Sequence, residues 1–246
     1  MAAKRKPSEF HIYHVMNRGT GKQLIFEDDI DRKLFLKLLT ESLGKRGVDN
    51  LCWCLMGNHF HLLLQGEMAG ISFCMKEVCA KYARKFNMRH DRTGHLFQGV
   101  FLSEAINDET YLLAVVRYIH RNPVKAGISA NCEYCWSSYL AYTRGWAPTE
   151  AVCNTSLILG LFESIDDFEA FHSKGEKDEK AEPNYSDSCA LAVSDSILGL
   201  GKAGKLKELD KRARNAALAE LKKAGLTIRQ IQHITGIGRN IIQRAE

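Results

Sequence analysis

The sequence contains no long hydrophobic run. Its longest uninterrupted apolar stretches, such as Leu51 to Met56, are far below the roughly 18 residues that a bilayer span needs. The first residues, MAAKRKPSEF, are basic but are followed by no apolar segment, so they do not read as a secretory signal. Internal repeats and low-complexity tracts are not evident. Of the 8 cysteines only Cys132 and Cys135 form a C-x-x-C, and without a second pair at zinc spacing a cysteine-rich zinc site is not expected. These absences together predict a cytoplasmic protein with reduced thiols. What is present is an ordinary globular balance over 246 residues, 45% hydrophobic and 26% charged. That is enough for a core without disulfides or structural metal.

Charge is distributed unevenly. Residues 1–150 carry a net +5, residues 151–201 a net −7, and residues 202–246 a net +7. The chain is therefore expected to divide into a domain at 1–150, an acidic linker at 151–201 and a basic region at 202–246. Basic blocks suit a polyanion, although a charge excess alone is usually a solvated surface. The spacing Gly199 to Lys205 fits G-x-x-x-x-G-K, but Leu206 stands where a phosphate loop needs Ser or Thr, so no nucleotide cofactor is expected.

Periodicity predicts a strand at His11–Asn17, a helix at 29–46 with Ile30, Leu34, Leu38, Leu39 and Leu43 near helical spacing, and strands at 51–56 and 59–65 joined by the turn Gly57-Asn58. A helix at 71–88 carries a basic face of Lys81, Arg84 and Lys85, candidates for DNA backbone contact. Leu96–Ile106 reads as a strand with a bulge at Gly99. Asp108 caps a helix expected to stop near Asn122, because Pro123 disfavours helical backbone before it. Strands and helices in this order predict an α+β fold with an antiparallel sheet flanked by helices. In the basic tail, two short helices around Gly236 predict a helix-turn-helix. Its second helix would offer Arg239, Asn240 and Gln243 to base edges, with Lys222, Lys223 and Arg229 on phosphates.

The sharpest chemical feature is Asn58-His59-Phe60-His61. Alternation along a strand puts His59 and His61 on one face, where two imidazoles can share a divalent cation; two solvated histidines would give the same pattern. Further on, Tyr118 and Asn122 stand at i and i+4 with Arg121 beside them, which is equally a packing residue and a helix end.

Four segments in order, CLMGNHFHLLL (54–64), GHLFQGVF (94–101), YLLAVVRYIHRNPVKAG (111–127) and CWSSYLAY (135–142), resemble the REP-associated tyrosine transposases, a branch of the HUH single-tyrosine transposases. The resemblance spans about residues 8–145. Gly57 departs from the family's usual proline before Asn-His. The resemblance implies an HUH, ferredoxin-like nuclease domain in which His59, His61 and Asn122 hold Mg²⁺ or Mn²⁺ and Tyr118 is the nucleophile. It implies cleavage of single-stranded DNA through a 5′-phosphotyrosine and rejoining, on hairpin-forming repeats, by a monomer. A phenol with a pKa near 10 needs help to ionise, and Arg121 or the metal are the candidates. Two other readings stay open: a DNA-binding regulator with a disused HUH site, and a hydrolase that activates water at H-x-H.

Overall fold

The computed structural model describes residues 7–173, 194, 198, 203–223 and 226–245, apart from the side chain of Lys223. Most of the hydrophilic stretch 172–188 and the residues Gly199–Lys202 of the phosphate-loop spacing lie outside these. The chain divides into two compact units, one of residues 1–122 with 136–175, the other of residues 123–135 with 176–246.

The first unit is built on a four-stranded antiparallel sheet in the order β2-β3-β1-β4. Its strands are β1 (Ile12–Arg18), β2 (Asp49–Met56), β3 (His59–Gln65) and β4 (Leu102–Ile106). The β2–β3 hairpin closes at Gly57-Asn58, as its sequence predicts. Neither turn residue has positive φ, so the turn does not require glycine for its backbone conformation. A Cβ on Gly57 would lie 3.1 Å from Leu24 Cδ2, and the Gly57 carbonyl accepts from the amides of Ile25 and Phe26 at 2.8 and 3.0 Å.

Helices α1 (Asp29–Gly44) and α2 (Met68–Arg89) cover the sheet face that carries Phe60. Phe35 of α1 meets Phe60 at 4.8 Å between ring centroids and Tyr82 of α2 at 5.3 Å. Asp28 caps α1 by accepting from the Asp31 amide. The buried stripe of α1 is Phe35, Leu36, Leu39 and Leu43, whereas Ile30, which shares the helical spacing, is exposed.

Two elements differ from expectation. The strand at 96–106 is regular only from Leu102. Before it, the Gln98 amide donates to the Arg18 carbonyl and Asn17 Nδ2 donates to the Gly99 carbonyl, so this stretch runs beside β1 as a loop. Phe97 of this stretch meets the rings of Phe60 and Tyr82, each at 6.2 Å between centroids, and the bulge expected at Gly99 does not form within a strand, because β4 begins only at Leu102. Helix α3 (Glu109–Lys125) continues through Pro123. Proline lacks only one donor in this last turn. The helix is then closed by Gly127 at φ +66°, with Gly127 N and Ile128 N donating to the carbonyls of Val124 and Pro123.

The acidic linker expected at 151–201 is corrected over residues 151–173. Helices α4 (Tyr139–Thr143), α5 (Ser156–Leu159) and α6 (Ile165–Ser173) lie in the first unit. Phe168 is fully buried, stacked on Tyr142 at 5.0 Å and edge-on to Phe162 at 5.2 Å. An acidic surface hid this aromatic seam. Cys135 is disulfide-bonded, against the expectation of reduced thiols, while Cys52, Cys54, Cys74, Cys79, Cys132 and Cys153 are free.

In the second unit, a 3₁₀ turn (Ala203–Glu208) precedes α7 (Lys211–Lys223), α8 (Ile228–Thr235) and α9 (Arg239–Arg244). Thr227 and Gln230 form a capping box at the start of α8, and Gly236 ends it in the left-handed region. Leu218, Leu221, Ile231 and Ile242 form its core. No helix among the described residues is long and apolar enough to cross a membrane.

Candidate active site

The sheet face opposite Phe60 carries the chemistry. Register places His59 opposite Arg18 and His61 opposite Met16. Alternation brings His14, two residues before Met16, onto the same face. Helix α3 lies over these side chains. The Tyr118 ring stands edge-on to His61 at 5.3 Å and to His14 at 5.9 Å. One turn on, Asn122 Oδ1 lies 3.2 Å from His59 Nε2. The structure therefore gathers His59, His61, Tyr118 and Asn122, which come from two segments of the sequence. Tyr118 is 39% exposed, enough for its hydroxyl to meet a substrate. It lines a groove of about 670 Å³ together with His59, His61, Arg18, Lys22 and Gln98.

The imidazoles are held neutral. Burial pushes His61 down to about 3, with His14 and His59 adding to the effect. Burial likewise pushes His14 down to about 4, against the pull of Glu104. His59 is lowered by burial, with the Asn122 contact opposing it. Neutral imidazoles are the form that gives a lone pair to a metal.

The hydrogen bonds around His59 test whether a cation fits. Asn58 Nδ2 donates to the Lys22 carbonyl at 3.4 Å, which turns Asn58 Oδ1 toward His59 Nδ1 at 2.7 Å. A neutral imidazole has one N–H, yet both His59 nitrogens face an amide oxygen, Nδ1 that of Asn58 and Nε2 that of Asn122. One of the two contacts therefore sets lone pair against lone pair, and a cation at Nε2, with the proton on Nδ1, relieves it. The set of two neutral imidazoles and an amide oxygen fits a divalent cation. Among the described residues, no group of three or more His, Cys, Asp or Glu side chains is arranged to hold a metal.

The other tyrosines are placed differently. Tyr82 is buried and its hydroxyl donates to the Ile25 carbonyl, and burial drives its phenol far up. Burial and a hydrogen bond to Glu104 push Tyr111 up to about 12.

Arg121, expected beside Tyr118 as a DNA contact and an aid to ionisation, is corrected: it is buried, and its Nη1 donates to the His172 carbonyl at 2.7 Å. It anchors α3 to α6. Lys81, Arg84 and Lys85 are exposed on α2, beyond the sheet from the histidines, with Lys81 Nζ 2.7 Å from Glu77. In the second unit Arg229, Arg239, Asn240 and Gln243 are exposed. Lys222, expected on phosphate, instead donates to the carbonyls of Ala245 and Gln243 at 2.6 and 3.4 Å, closing the end of α9. The Lys223 side chain lies outside the described residues.

Sequence reasoning missed His14, Arg18, Lys22 and Gln98. Their place depends on strand register and on the returning loop, neither of which periodicity reports. The His14–His61 alternation was visible only within each strand.

Residues 8–122, which build β1 to β4 and α1 to α3 as far as Asn122, match the family described as "Transposase IS200 like". The matched segment is 115 of the 246 residues. The chain is also similar to the solved structure of a REP-associated tyrosine transposase bound to a REP hairpin, at 17% identity and TM-score 0.48, over 63% of this chain and 93% of that one. It is similar to a crystal structure of a putative transposase from Deinococcus radiodurans R1, at 17% identity and TM-score 0.35, over 49% of this chain and 97% of that one. No curated protein matches the sequence.

Proposed function

We propose that the chain is a site-specific enzyme that nicks and rejoins single-stranded DNA, with Tyr118 as nucleophile. The observation that carries this reading is the edge-on approach of Tyr118 to His61 at 5.3 Å with Asn122 one turn along the same helix, 3.2 Å from His59. The Tyr118 oxygen attacks phosphorus, the bond from phosphorus to the 3′-oxygen breaks, and the phenol's proton leaves as the 3′-hydroxyl takes one up. The product is a 5′-phosphotyrosine and a free 3′-OH. The new ester keeps the phosphodiester's energy, so the 3′-OH of a second strand can reverse the step without ATP.

Several residues supply what a phosphodiester needs. Arg18 and Lys22 put positive charge at the groove mouth, where a backbone would enter. Register fixes the histidines, and α3 fixes Tyr118 relative to them, which is the positioning part of the catalysis. His59, His61 and Asn122 would hold Mg²⁺ or Mn²⁺, which when bound acts as a Lewis acid on the phosphate oxygens. The four sequence blocks that resemble REP-associated transposases favour hairpin-forming repeat DNA as substrate. Arg239, Asn240 and Gln243 of α9 would then read the duplex stem.

The test is incubation of the protein with labelled single strands from its gene's own flanks in Mn²⁺, followed by a denaturing gel. A slow-migrating adduct in wild type, absent in Tyr118→Phe with binding retained, supports the reading. Binding without an adduct points to a regulator with a disused site. Cleavage that survives in Tyr118→Phe points to a hydrolase using water.

A further inference from the structure

The candidate ligand His61 is hydrogen-bonded on its inner side: His61 Nδ1 lies 3.0 Å from His14 Nε2, with the rings stacked at 5.1 Å and 28°. Both side chains are almost wholly buried. One proton lies between the two nitrogens, and its owner decides what His61 can do. If His14 donates, the neutral His61 carries its own proton on Nε2 and offers no lone pair to a cation. If His61 donates, its Nε2 is free.

The strand order breaks the symmetry. β1 lies between β3 and β4. His14 reaches His61 on the β3 side through Nε2, and Glu104 of β4 stands directly opposite His14 on the other side. Tyr111 is hydrogen-bonded to that carboxylate and helps to hold it there. Glu104 acts on His14 through its charge, and a carboxylate on the side away from His61 favours the His14 tautomer protonated on Nδ1, with Nε2 as the acceptor. A carboxylate, an imidazole and a ligand imidazole thus stand on three neighbouring strands, the setting of the outer support that orients metal-binding histidines.

We infer that His14 is a positioning residue for the metal site, accepting the Nδ1–H of His61 and so fixing the His61 tautomer whose Nε2 is available to a cation. Glu104 orients His14 in turn. This rests on the metal-site reading above but assigns a role that reading does not need. Arg18, Lys22 and Tyr118 would serve the same chemistry with any buried side chain at position 14.

Two measurements on the full-length, metal-free protein test it. Long-range ¹H–¹⁵N spectra of histidine-labelled wild type report tautomers without any substitution. His61 protonated on Nδ1 is the expected result, and His61 protonated on Nε2 overturns the inference. The second measurement is Mn²⁺ binding by calorimetry and electron paramagnetic resonance. His14→Phe, which keeps the ring volume but cannot accept, should weaken Mn²⁺ binding by about 10- to 100-fold. His14→Gln, whose amide oxygen can accept, should recover most of it. Mn²⁺ affinity in folded His14→Phe within about twofold of wild type sinks the role of His14 while the metal site stands, provided His59→Ala abolishes binding. Wild type that binds Mn²⁺ no better than His59→Ala removes the metal site itself, and the role of His14 with it.

Discussion

His59 Nε2 and Asn122 Oδ1 face each other at 3.2 Å across the boundary of β3 and α3, while the other nitrogen of the imidazole, Nδ1, lies 2.7 Å from Asn58 Oδ1. If this contact is half of a cation site, its parts fail in graded fashion. His59→Ala should abolish nicking, as should EDTA with wild type. Asn58→Ala only frees the tautomer, and should raise the Mn²⁺ concentration needed for half-maximal nicking by about 10-fold. A metal titration of initial nicking rates checks both. An unchanged Asn58→Ala titration would show that the tautomer is set elsewhere.

The three tyrosines should separate by role. Tyr118→Phe removes the adduct. Tyr111→Phe should keep it, since that phenol is tied to Glu104 and pushed up to about 12. Tyr82→Phe should also keep the adduct while lowering stability by about 1 kcal/mol, the usual net worth of a buried hydrogen bond, because its hydroxyl donates to the Ile25 carbonyl. Adduct yield on a gel and urea midpoints distinguish the three. An adduct lost in Tyr111→Phe but kept in Tyr118→Phe would reassign the nucleophile.

Stability should fall on mild acidification. Burial holds His172 down to about 4, with Arg117 and Arg121 adding to it and the Phe168 carbonyl opposing. His120, which meets His172 at 3.0 Å, is held well below 6.5 by burial and by that neighbour. An unfolded chain takes these protons near pH 6.5, whereas the folded chain refuses them until far lower. The stabilisation is therefore complete above about 6.5 and is lost as pH falls toward the folded values. Between pH 7 and pH 5.5 each imidazole should cost about 1 kcal/mol. Urea midpoints across that range check it, and His172→Gln should flatten the slope. A flat wild-type profile would mean that these imidazoles are charged in the native state.

The legible parts of the molecule were those written in short stretches. A strand at 59–65, in which side chains alternate, put both histidines on one face, and the i, i+4 spacing put Tyr118 and Asn122 on one side of a helix. What stayed hidden needs contacts between distant segments. His14 matters because register brings it to His61, 47 residues on. Arg121 looked like a free cation because α6, which buries it, sits in a segment whose acidic composition reads as linker. Phe168 and Phe162 were outweighed there by neighbouring carboxylates. Lys222 is a cap because α9 ends beside it, which local charge cannot report.

The tail should divide its labour between base edges and backbone. Arg239, Asn240 and Gln243 are exposed on α9, the second helix of a turn fixed by Gly236, and Arg229 is exposed on α8. A second helix in a major groove would let Arg239 and Asn240 bond base edges, each worth about 1–3 kcal/mol of discrimination. Arg229 on a phosphate would add a sequence-independent contact. In the full-length protein, Arg239→Ala should therefore weaken binding to the cognate hairpin by about 10-fold or more and relax its preference over a scrambled stem. Arg229→Ala should weaken both hairpins alike and reduce the slope of log affinity against log salt by about 1. Neither should slow nicking of a short unstructured strand at saturating protein, because His59, His61 and Tyr118 belong to the other unit. Lys222→Ala, by contrast, should act through stability, since its amine closes α9. Hairpin affinities over a salt series, for cognate and scrambled stems, decide between these roles. If all variants bind both hairpins as wild type does, with the same salt slope, the basic tail has no part in holding DNA and its exposed face serves a protein partner instead.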